Sequence, residues 1–142
     1  GTGNVSDKQA ALDIYASDMS FVNQVRPACV VKPKKADDIQ KIIHLANETQ
    51  TPLGPVSSGA PHFRGDTVTG TGGAVIVDLS GMNKVVFVDR ARRVAMVEPG
   101  VTFGELIPEV EKAGLRVNLP FLPRLADLLR NPHLYAKTPC AG

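Results

Sequence analysis

The sequence predicts an α+β (mixed α/β) fold, and two observations carry that prediction. The first is a βαβ unit, in which an apolar strand over residues 28–31 is followed by an amphipathic helix over 37–48 and a short strand over 53–56. The second is a nearly all-apolar strand over 74–78, a composition typical of the centre of a parallel sheet. We therefore expect a mixed sheet of short strands flanked by two main helices, over 37–48 and near 103–113.

Size and composition narrow the class of protein. The 142 residues can bury one ordinary core, and no apolar run approaches the roughly 20 residues of a membrane helix. The net charge of +2 comes from interspersed acids and bases, which argues against a nucleic-acid surface, although Lys32, Lys34 and Lys35 are locally basic. Cys29 and Cys140 show neither a disulfide framework nor metal-type spacing. This cysteine pattern predicts no metal site, and because no signal segment opens the chain, we expect a cytoplasmic protein.

The first residues of the chain are polar and only weakly periodic. Residues 6–16 predict a short amphipathic helix in which Ala10 and Ile14, with Leu12 as a further candidate, face inward. The strand over 28–31 follows and is closed by a Lys-Pro pair.

The clearest helix covers residues 37–48. Its apolar residues recur at i, i+3, i+4 and i+7, which predicts one inward-facing stripe made of Ile39, Ile42, Ile43 and Ala46. Asp37 and Asp38 suit the positive end of the helix dipole, so we interpret them as structural rather than catalytic carboxylates. The strands before and after this helix are expected to run parallel.

The second half predicts a hairpin-like pair of strands over 84–89 and 93–97, then a second helix. Thr102 has capping-box spacing to a glutamate three residues later, and Gly114 suits the C-terminal cap. Pro108 weakens a continuous helix, which leaves open a first turn followed by a helix that restarts near this residue.

Two small-residue turns each follow an apolar strand. In the first, no bulky side chain occurs from Ser57 to Ala60, so the backbone N–H groups can approach an anion such as a pyrophosphate closely. The second is Glu98-Pro99-Gly100-Val101. Most such turns only connect strands, but their order around the strand end Asp78-Leu79-Ser80 is more specific.

Five elements follow one another along the chain. They are Pro27-Ala28-Cys29-Val30-Val31-Lys32-Pro33, Asp37-Asp38-Ile39-Gln40-Lys41-Ile42-Ile43, Ser57-Ser58-Gly59-Ala60, Val75-Ile76-Val77-Asp78-Leu79-Ser80-Gly81-Met82 and Glu98-Pro99-Gly100-Val101-Thr102. In this order they resemble the N-terminal half of the flavin-binding domain of FAD-linked oxidases, the family of vanillyl-alcohol oxidase, p-cresol methylhydroxylase (PCMH) and the glycolate and lactate dehydrogenases. The resemblance runs from about Pro27 to Pro123, and it implies the N-terminal, βαβ-containing half of a PCMH-type FAD-binding domain.

The resemblance also implies a domain division and a cofactor. Residues 1–26 would be an N-terminal extension with a short helix, 27–123 a partial FAD-binding subdomain and 124–142 an irregular C-terminal tail. FAD would bind without a covalent bond, because Ala60 stands where some family members attach flavin to a histidine, unless the register slips by two onto His62. The implied cofactor-binding residues are Ser57, Ser58, Gly59, Ala60, Pro61, His62, Pro99, Gly100 and Val101.

The other chemically capable groups have ordinary interpretations. For Glu98, an ordinary exposed carboxylate and a ligand-binding residue are about equally good interpretations. His44 lies on the polar side of its helix, His133 lies in the proline-broken tail, and His62 follows the small-residue loop, where a surface position is favoured over a catalytic one. Residues 64–66 match an integrin-type tripeptide but are interpreted as a solvated loop. The catalytic residues are therefore left unassigned.

Two functions follow from these observations. In the first, the chain is the FAD-binding part of a flavin-dependent oxidoreductase acting on a small hydroxy acid or alcohol. It would be incomplete as given, because the family's second flavin subdomain and substrate domain do not fit into residues 118–142. Its partners would be those domains or another subunit, and self-association would cover the exposed cut face. In the second, the chain is a non-catalytic α/β subunit or interaction module without tightly bound flavin.

Overall fold

Six strands and three helices make up the regular structure of the described residues. The computed structural model describes residues 2–18, 21–57 and 67–117. After a short 3₁₀ turn at Thr2–Asn4, the elements are β1 (Val5–Ser6), α1 (Gln9–Asp13), β2 (Cys29–Val31), α2 (Ala36–Thr49), β3 (Leu53–Val56), β4 (Val75–Asp78), β5 (Val85–Asp89), β6 (Val94–Val97) and α3 (Phe103–Lys112). Two compact units contain them, one up to Met82 and one from Asn83 onward.

The first unit contains a four-stranded mixed sheet in the order β1-β2-β4-β3. Strands β2 and β3 both run parallel to β4, and β1 runs antiparallel to β2. The predicted central strand is confirmed, since Ile76 and Val77 of β4 are 0% and 5% exposed. The βαβ unit differs in one respect, because β2 and β3 do not pair with each other. The apolar strand β4 lies between them and is hydrogen-bonded at both of its edges, which buries it most completely.

Helix α2 confirms the predicted helix, with a narrower buried face. Ala46 is buried and Ile39 and Ile42 are half-buried, but Ile43 is 46% exposed, so its predicted inward position is wrong. The two acidic residues of the first turn lie at the helix N-terminus as expected. Gln50 caps the C-terminus of the helix, and its φ of 53° is left-handed.

The N-terminal segment departs most from the sequence-based expectation. Ser6 lies in β1, where it pairs with β2, so the predicted helix begins later and is short. Leu12 is buried as expected, but Ala10 and Ile14 are exposed, and Tyr15 takes the second inward position. Strand pairing of residues 5 and 6 delays the start of the helix, which ends at Asp13, so Tyr15 is buried from the turn that follows it. The core of this unit is Leu12, Tyr15, Val30, Val56 and Ile76.

Gly54 of β3 marks a close approach of the chain to itself. A Cβ atom at this position would lie 3.0 Å from Thr69 Cγ2 and 3.2 Å from Ile76 Cδ1. Glycine therefore leaves room for the segment that contains Thr69 to pack beside β3.

The second unit begins with the antiparallel hairpin β5–β6, as predicted, and this hairpin forms a separate two-stranded sheet. The Asp89 carboxylate accepts the N–H groups of Ala91 and Arg92 at 2.9 and 3.0 Å, which holds the turn. Arg93 adopts a φ of 57° just before β6 begins.

Helix α3 is continuous through Pro108, so the alternative of a restarted helix is wrong. A proline inside a helix costs about 3 kcal/mol, and the burial of Leu106 and Val110 on either side of it offsets that cost. At the other end, Gly114 has a φ of 72° and its N–H donates to the Glu111 carbonyl, so its predicted capping role is confirmed. The core of this unit is Val101, Leu106 and Val110, packed by Val85, Val88, Val97, Leu115 and Val117.

Candidate functional site

The candidate site lies where the parallel strands of the first unit end. The carboxyl ends of β2, β3 and β4 lie at the same edge of the sheet because the three strands run in one direction. Lys32, Ser57 and Leu79 are the first residues beyond these ends. The pairing of β3 with β4 continues to the edge, since Leu79 N–H donates to the Val56 carbonyl at 2.7 Å. Ligands of open α/β sheets bind outside this edge of the sheet.

A buried carboxylate anchors the edge. The Asp78 side chain is only 4% exposed and lies 3.0 Å from Lys32 Nζ. Its Oδ2 accepts a hydrogen bond from the Tyr15 hydroxyl at 2.7 Å. Its Oδ1 accepts the Ser80 N–H at 2.9 Å and the Ser80 hydroxyl at 2.6 Å. One carboxylate thus ties together the N-terminal segment, the end of β2 and the turn after β4.

These contacts favour the ionised form of Asp78. Burial raises the pKa of the Asp78 carboxyl, but hydrogen bonds from Ser80, Tyr15 and Lys32 outweigh it and hold the pKa below its ordinary value. Burial, and then the hydrogen bond to Asp78 and its charge, raise the pKa of Tyr15, so its hydroxyl remains a donor. The cluster is therefore a charged, hydrogen-bonded anchor at neutral pH.

Because of this cluster, the stability of the protein should vary with pH in the acidic range. The pKa of Asp78 is lower in the folded state than in the unfolded chain, where aspartate titrates at about 3.9. The stabilisation is thus complete above that pH and is lost as the pH falls through the folded-state pKa. We expect the melting temperature of the parent to fall more steeply than that of Asp78→Asn between about pH 5 and 2. Calorimetry at a series of pH values measures the difference, and parallel curves for the two proteins would contradict it.

The implied pyrophosphate loop is only partly described. Ser57 is half-buried immediately after β3. The predicted site residues Ser58, Gly59, Ala60, Pro61 and His62 lie outside the described residues. Just beyond this gap, Thr67 is 3% exposed, and its Oγ1 has no hydrogen-bond partner among the described residues. Burying a hydroxyl without a partner costs free energy, so the Thr67 hydroxyl is a polar group that a hydrogen-bonding partner would stabilise.

The second implied contact lies in the other unit. Pro99, Gly100 and Val101 form the turn between β6 and α3, and Val101 N–H donates to the Glu98 carbonyl at 3.1 Å. The Val101 side chain is 0% exposed and belongs to the core of its unit. Contact of Val101 with a ligand would therefore have to use its backbone.

The neighbouring polar groups of this turn have structural partners. The Glu98 carboxylate accepts the Lys84 N–H at 2.9 Å, which supports its interpretation as an ordinary carboxylate of the hairpin. At the start of α3, Thr102 N–H donates to Glu105 Oε2 at 2.8 Å and Glu105 N–H donates to Thr102 Oγ1 at 3.3 Å, so the predicted capping box is confirmed. The cap occupies backbone donors that an anion would otherwise use.

In the part of the chain that the structure describes, no residues are arranged for metal binding or for catalysis by a thiol. No group of three His, Cys, Asp or Glu residues there could hold a metal ion. Burial raises the pKa of the Cys29 thiol, and the Asp7 carboxylate raises it further, so Cys29 is a poor nucleophile. No helix within the same residues is long and apolar enough to cross a membrane.

Sequence reasoning identified the strand end at Asp78 but not the cluster around it. Tyr15 is 63 positions away from Asp78 along the chain. The periodicity of the N-terminal segment predicts Ala10 and Ile14 as inward residues, and not Tyr15. In the sequence, Lys32 stands out only as part of a basic run. The Lys-Pro ending of β2 and the Asp-Leu-Ser ending of β4 were the only local signals, and neither specifies a contact between strands.

Three comparisons, with a family model, with related sequences and with solved structures, find proteins similar to this chain. The model of a family described as FAD binding domain matches residues 27–123. The flavoprotein subunit of 4-cresol dehydrogenase (hydroxylating) from Pseudomonas putida is 33% identical over 95 residues, which are 67% of this chain and 18% of that protein. A glycolate oxidase subunit of Bacillus subtilis is 31% identical over 115 residues, 81% of this chain and 24% of that protein.

Solved structures share the fold. A crystal structure of p-cresol methylhydroxylase with substrate bound superposes with a TM-score of 0.73 at 31% identity, covering 86% of this chain and 24% of that one. A 4-ethylphenol oxidase from Gulosibacter chungangensis superposes with a TM-score of 0.70 at 26% identity, covering 80% and 22%. The chain spans about a fifth to a quarter of the length of the relatives that it matches.

Proposed function

This chain belongs to the FAD binding domain family, and from that premise we propose that it is the FAD-binding part of a flavin-dependent oxidoreductase acting on a small hydroxy acid or alcohol. The substrate class rests on relatives such as a glycolate oxidase subunit and a D-lactate dehydrogenase, which are 31% and 28% identical to it. The observation that carries the proposal is the parallel-sheet edge from which Ser57 leaves, beside the buried Asp78. This is the position at which nucleotide ligands meet α/β sheets.

The proposed cradle for the FAD pyrophosphate is the backbone of residues 57–62. Small side chains and the glycine in this segment would let N–H groups reach the phosphates. The buried hydroxyl of Thr67, which lacks a partner among the described residues, fits a site that a polar ligand completes. When bound, FAD supplies the acceptor for a hydride, and the chain supplies binding and orientation. The residues assigned to this role are Ser57, Ser58, Gly59, Ala60, Pro61 and His62, with Pro99, Gly100 and Val101 against the cofactor.

The remaining assignments depend on the whole protein. We propose that the catalytic groups come from further FAD-binding and substrate domains or from another subunit, since the chain spans only 18% and 24% of two of its relatives. The predicted division into 1–26, 27–123 and 124–142, non-covalent binding of FAD and a cytoplasmic location belong to the same proposal.

Absorbance and FAD titration test the proposal directly. Flavin bound to the purified chain should absorb near 370 and 450 nm, which are roughly the flavin bands, and added FAD should lose fluorescence as it binds. Riboflavin, which lacks the pyrophosphate and adenosine, is the matched ligand control and should bind more weakly. A folded, colourless chain that ignores added FAD would contradict the proposal. It would favour instead a non-catalytic α/β module.

We also expect the chain to self-associate through the hairpin β5–β6. The exposed side chains on this hairpin include Val86, Phe87, Val94 and Met96, which are 45% to 53% exposed. Phe87 and Met96 are direct partners across the two strands and so form one apolar patch. Such patches tend to be covered by another surface.

Light scattering at increasing protein concentration measures this association. The parent should form dimers or larger species, and Phe87→Lys should shift the equilibrium toward monomer. Leu45→Lys, which changes an exposed apolar residue of α2 (60% exposed), is the matched control and should behave as the parent. A parent that stays monomeric at high concentration would contradict the expectation.

A further inference from the structure

Lys32 is held at the sheet edge from both its backbone and its side chain. Its N–H donates to the Asn4 carbonyl at 2.8 Å, which continues the pairing of β1 with β2. Its Nζ lies 3.0 Å from Asp78 Oδ2. A lysine side chain on a surface usually samples many rotamers, and the contact with Asp78 favours those that direct the ammonium group to this edge.

The ion pair of Lys32 with Asp78 is oriented. The Asp78 side chain is 4% exposed and the Lys32 side chain is 61% exposed, so the negative end is inside the unit and the positive end faces solvent. Hydrogen bonds from Tyr15 and Ser80 also disperse the charge of the carboxylate. An ammonium group carries three donors, so the contact with Asp78 leaves capacity for an anion outside the edge.

The strand register places Lys32 and Ser57 two strands apart, about 10 Å, at one edge of the sheet. Asp78 is the direct partner of Val56, the residue before Ser57, and Val31, the residue before Lys32, is the partner of Val77. Neighbouring strands lie about 4.8 Å apart. Lys32 and Ser57 therefore leave the sheet on the two sides of Asp78, at the same edge.

We propose that Lys32 contacts the FAD pyrophosphate, its ammonium group held in place by Asp78 as a positioning residue. This inference deepens the proposed function and rests on it. The alternative is a purely structural ion pair that serves only to compensate the buried carboxylate. The two differ in what they predict for phosphate affinity and its dependence on salt.

Affinities for FAD and ADP in the complete chain test the proposal. Lys32→Gln keeps a hydrogen-bond donor toward Asp78 but removes the charge, and it should weaken both ligands about tenfold, as expected for a charge-assisted hydrogen bond. Lys32→Arg keeps the charge and should bind within about threefold of the parent by the same reasoning. Lys41→Gln removes an exposed lysine of α2 and is the matched control, with the affinity of the parent. Melting temperatures confirm that each variant is folded.

Salt dependence separates a phosphate contact from a structural role. Raising ionic strength should weaken binding to the parent and to Lys41→Gln, and it should weaken binding to Lys32→Gln much less. If folded Lys32→Gln binds FAD and ADP as the parent does, with the same salt dependence, the inference is overturned while the proposed function stands. Weakening of FAD alone, with ADP unchanged, also overturns it. A parent that binds neither ligand contradicts both proposals.

Discussion

Replacing Gly59 with valine is expected to weaken FAD binding about a hundredfold, which corresponds to roughly 3 kcal/mol. Gly59 lies outside the described residues, and the expectation rests on its place in the sequence, two residues after Ser57, which follows β3 at the carboxyl edge. If the loop cradles a pyrophosphate through backbone N–H groups, a Cβ atom at Gly59 would both restrict the loop conformation and collide with the phosphates. Fluorescence titration of FAD measures the loss, and circular dichroism checks that the variant folds.

The neighbouring serines provide the matched comparison. Ser57→Ala and Ser58→Ala remove only a hydroxyl, and a neutral hydrogen bond contributes on the order of 1 kcal/mol, so each should weaken FAD only about fivefold. The contrast between glycine and serine variants is the signature of a backbone cradle. If a folded Gly59→Val protein binds FAD as tightly as the parent, the hypothesis of a backbone cradle is wrong, and so is the assignment of residues 57–62.

Replacing Asp78 with alanine is expected to destabilise the protein by about 3 kcal/mol. The change leaves the hydroxyl of Tyr15, a residue only 6% exposed, without the acceptor that it has at 2.7 Å. It also releases both contacts of Ser80 that hold the turn after β4. The exposed partner Lys32 can be solvated instead, so the ion pair itself adds little to the loss.

Chemical denaturation measures this loss, with two variants as controls. Tyr15→Phe removes the hydrogen bond to Asp78 and keeps the ring, so it should cost about 1 kcal/mol. Asp37→Ala removes an aspartate whose side chain is 69% exposed and should change stability by less than about 0.5 kcal/mol. If Asp78→Ala proves no more destabilising than Asp37→Ala, the cluster does not anchor the edge.

Elements with a strong local signal were predicted correctly. Helix α2 follows from the spacing of its apolar residues, and the start of α3 follows from Thr102 and Glu105, because caps and periodicity act within one or two turns. The strand β4 follows from its continuous apolar run. Pro108 shows the limit of this reasoning, since its local penalty is overridden by burial of the residues around it, which no local pattern measures.

Contacts between distant segments could not be predicted in the same way. The pairing of Ser6 with β2 shortens the expected N-terminal helix, and Tyr15 rather than Ile14 is buried. Likewise, the βαβ pattern does not predict that β4 lies between β2 and β3. The connection through the helix sets the relative direction of the two strands. Which strands are neighbours depends instead on which strand is buried most completely.

The sequence by itself determined the family and the main helices and strands. These depend on residues close together in the chain, where side-chain chemistry and backbone geometry act directly. Only the tertiary structure brought Tyr15, Lys32 and Ser80 onto the carboxylate of Asp78. Such a cluster forms because a buried charge must find donors wherever the fold supplies them, and that supply depends on strand order and register rather than on any local run of residues.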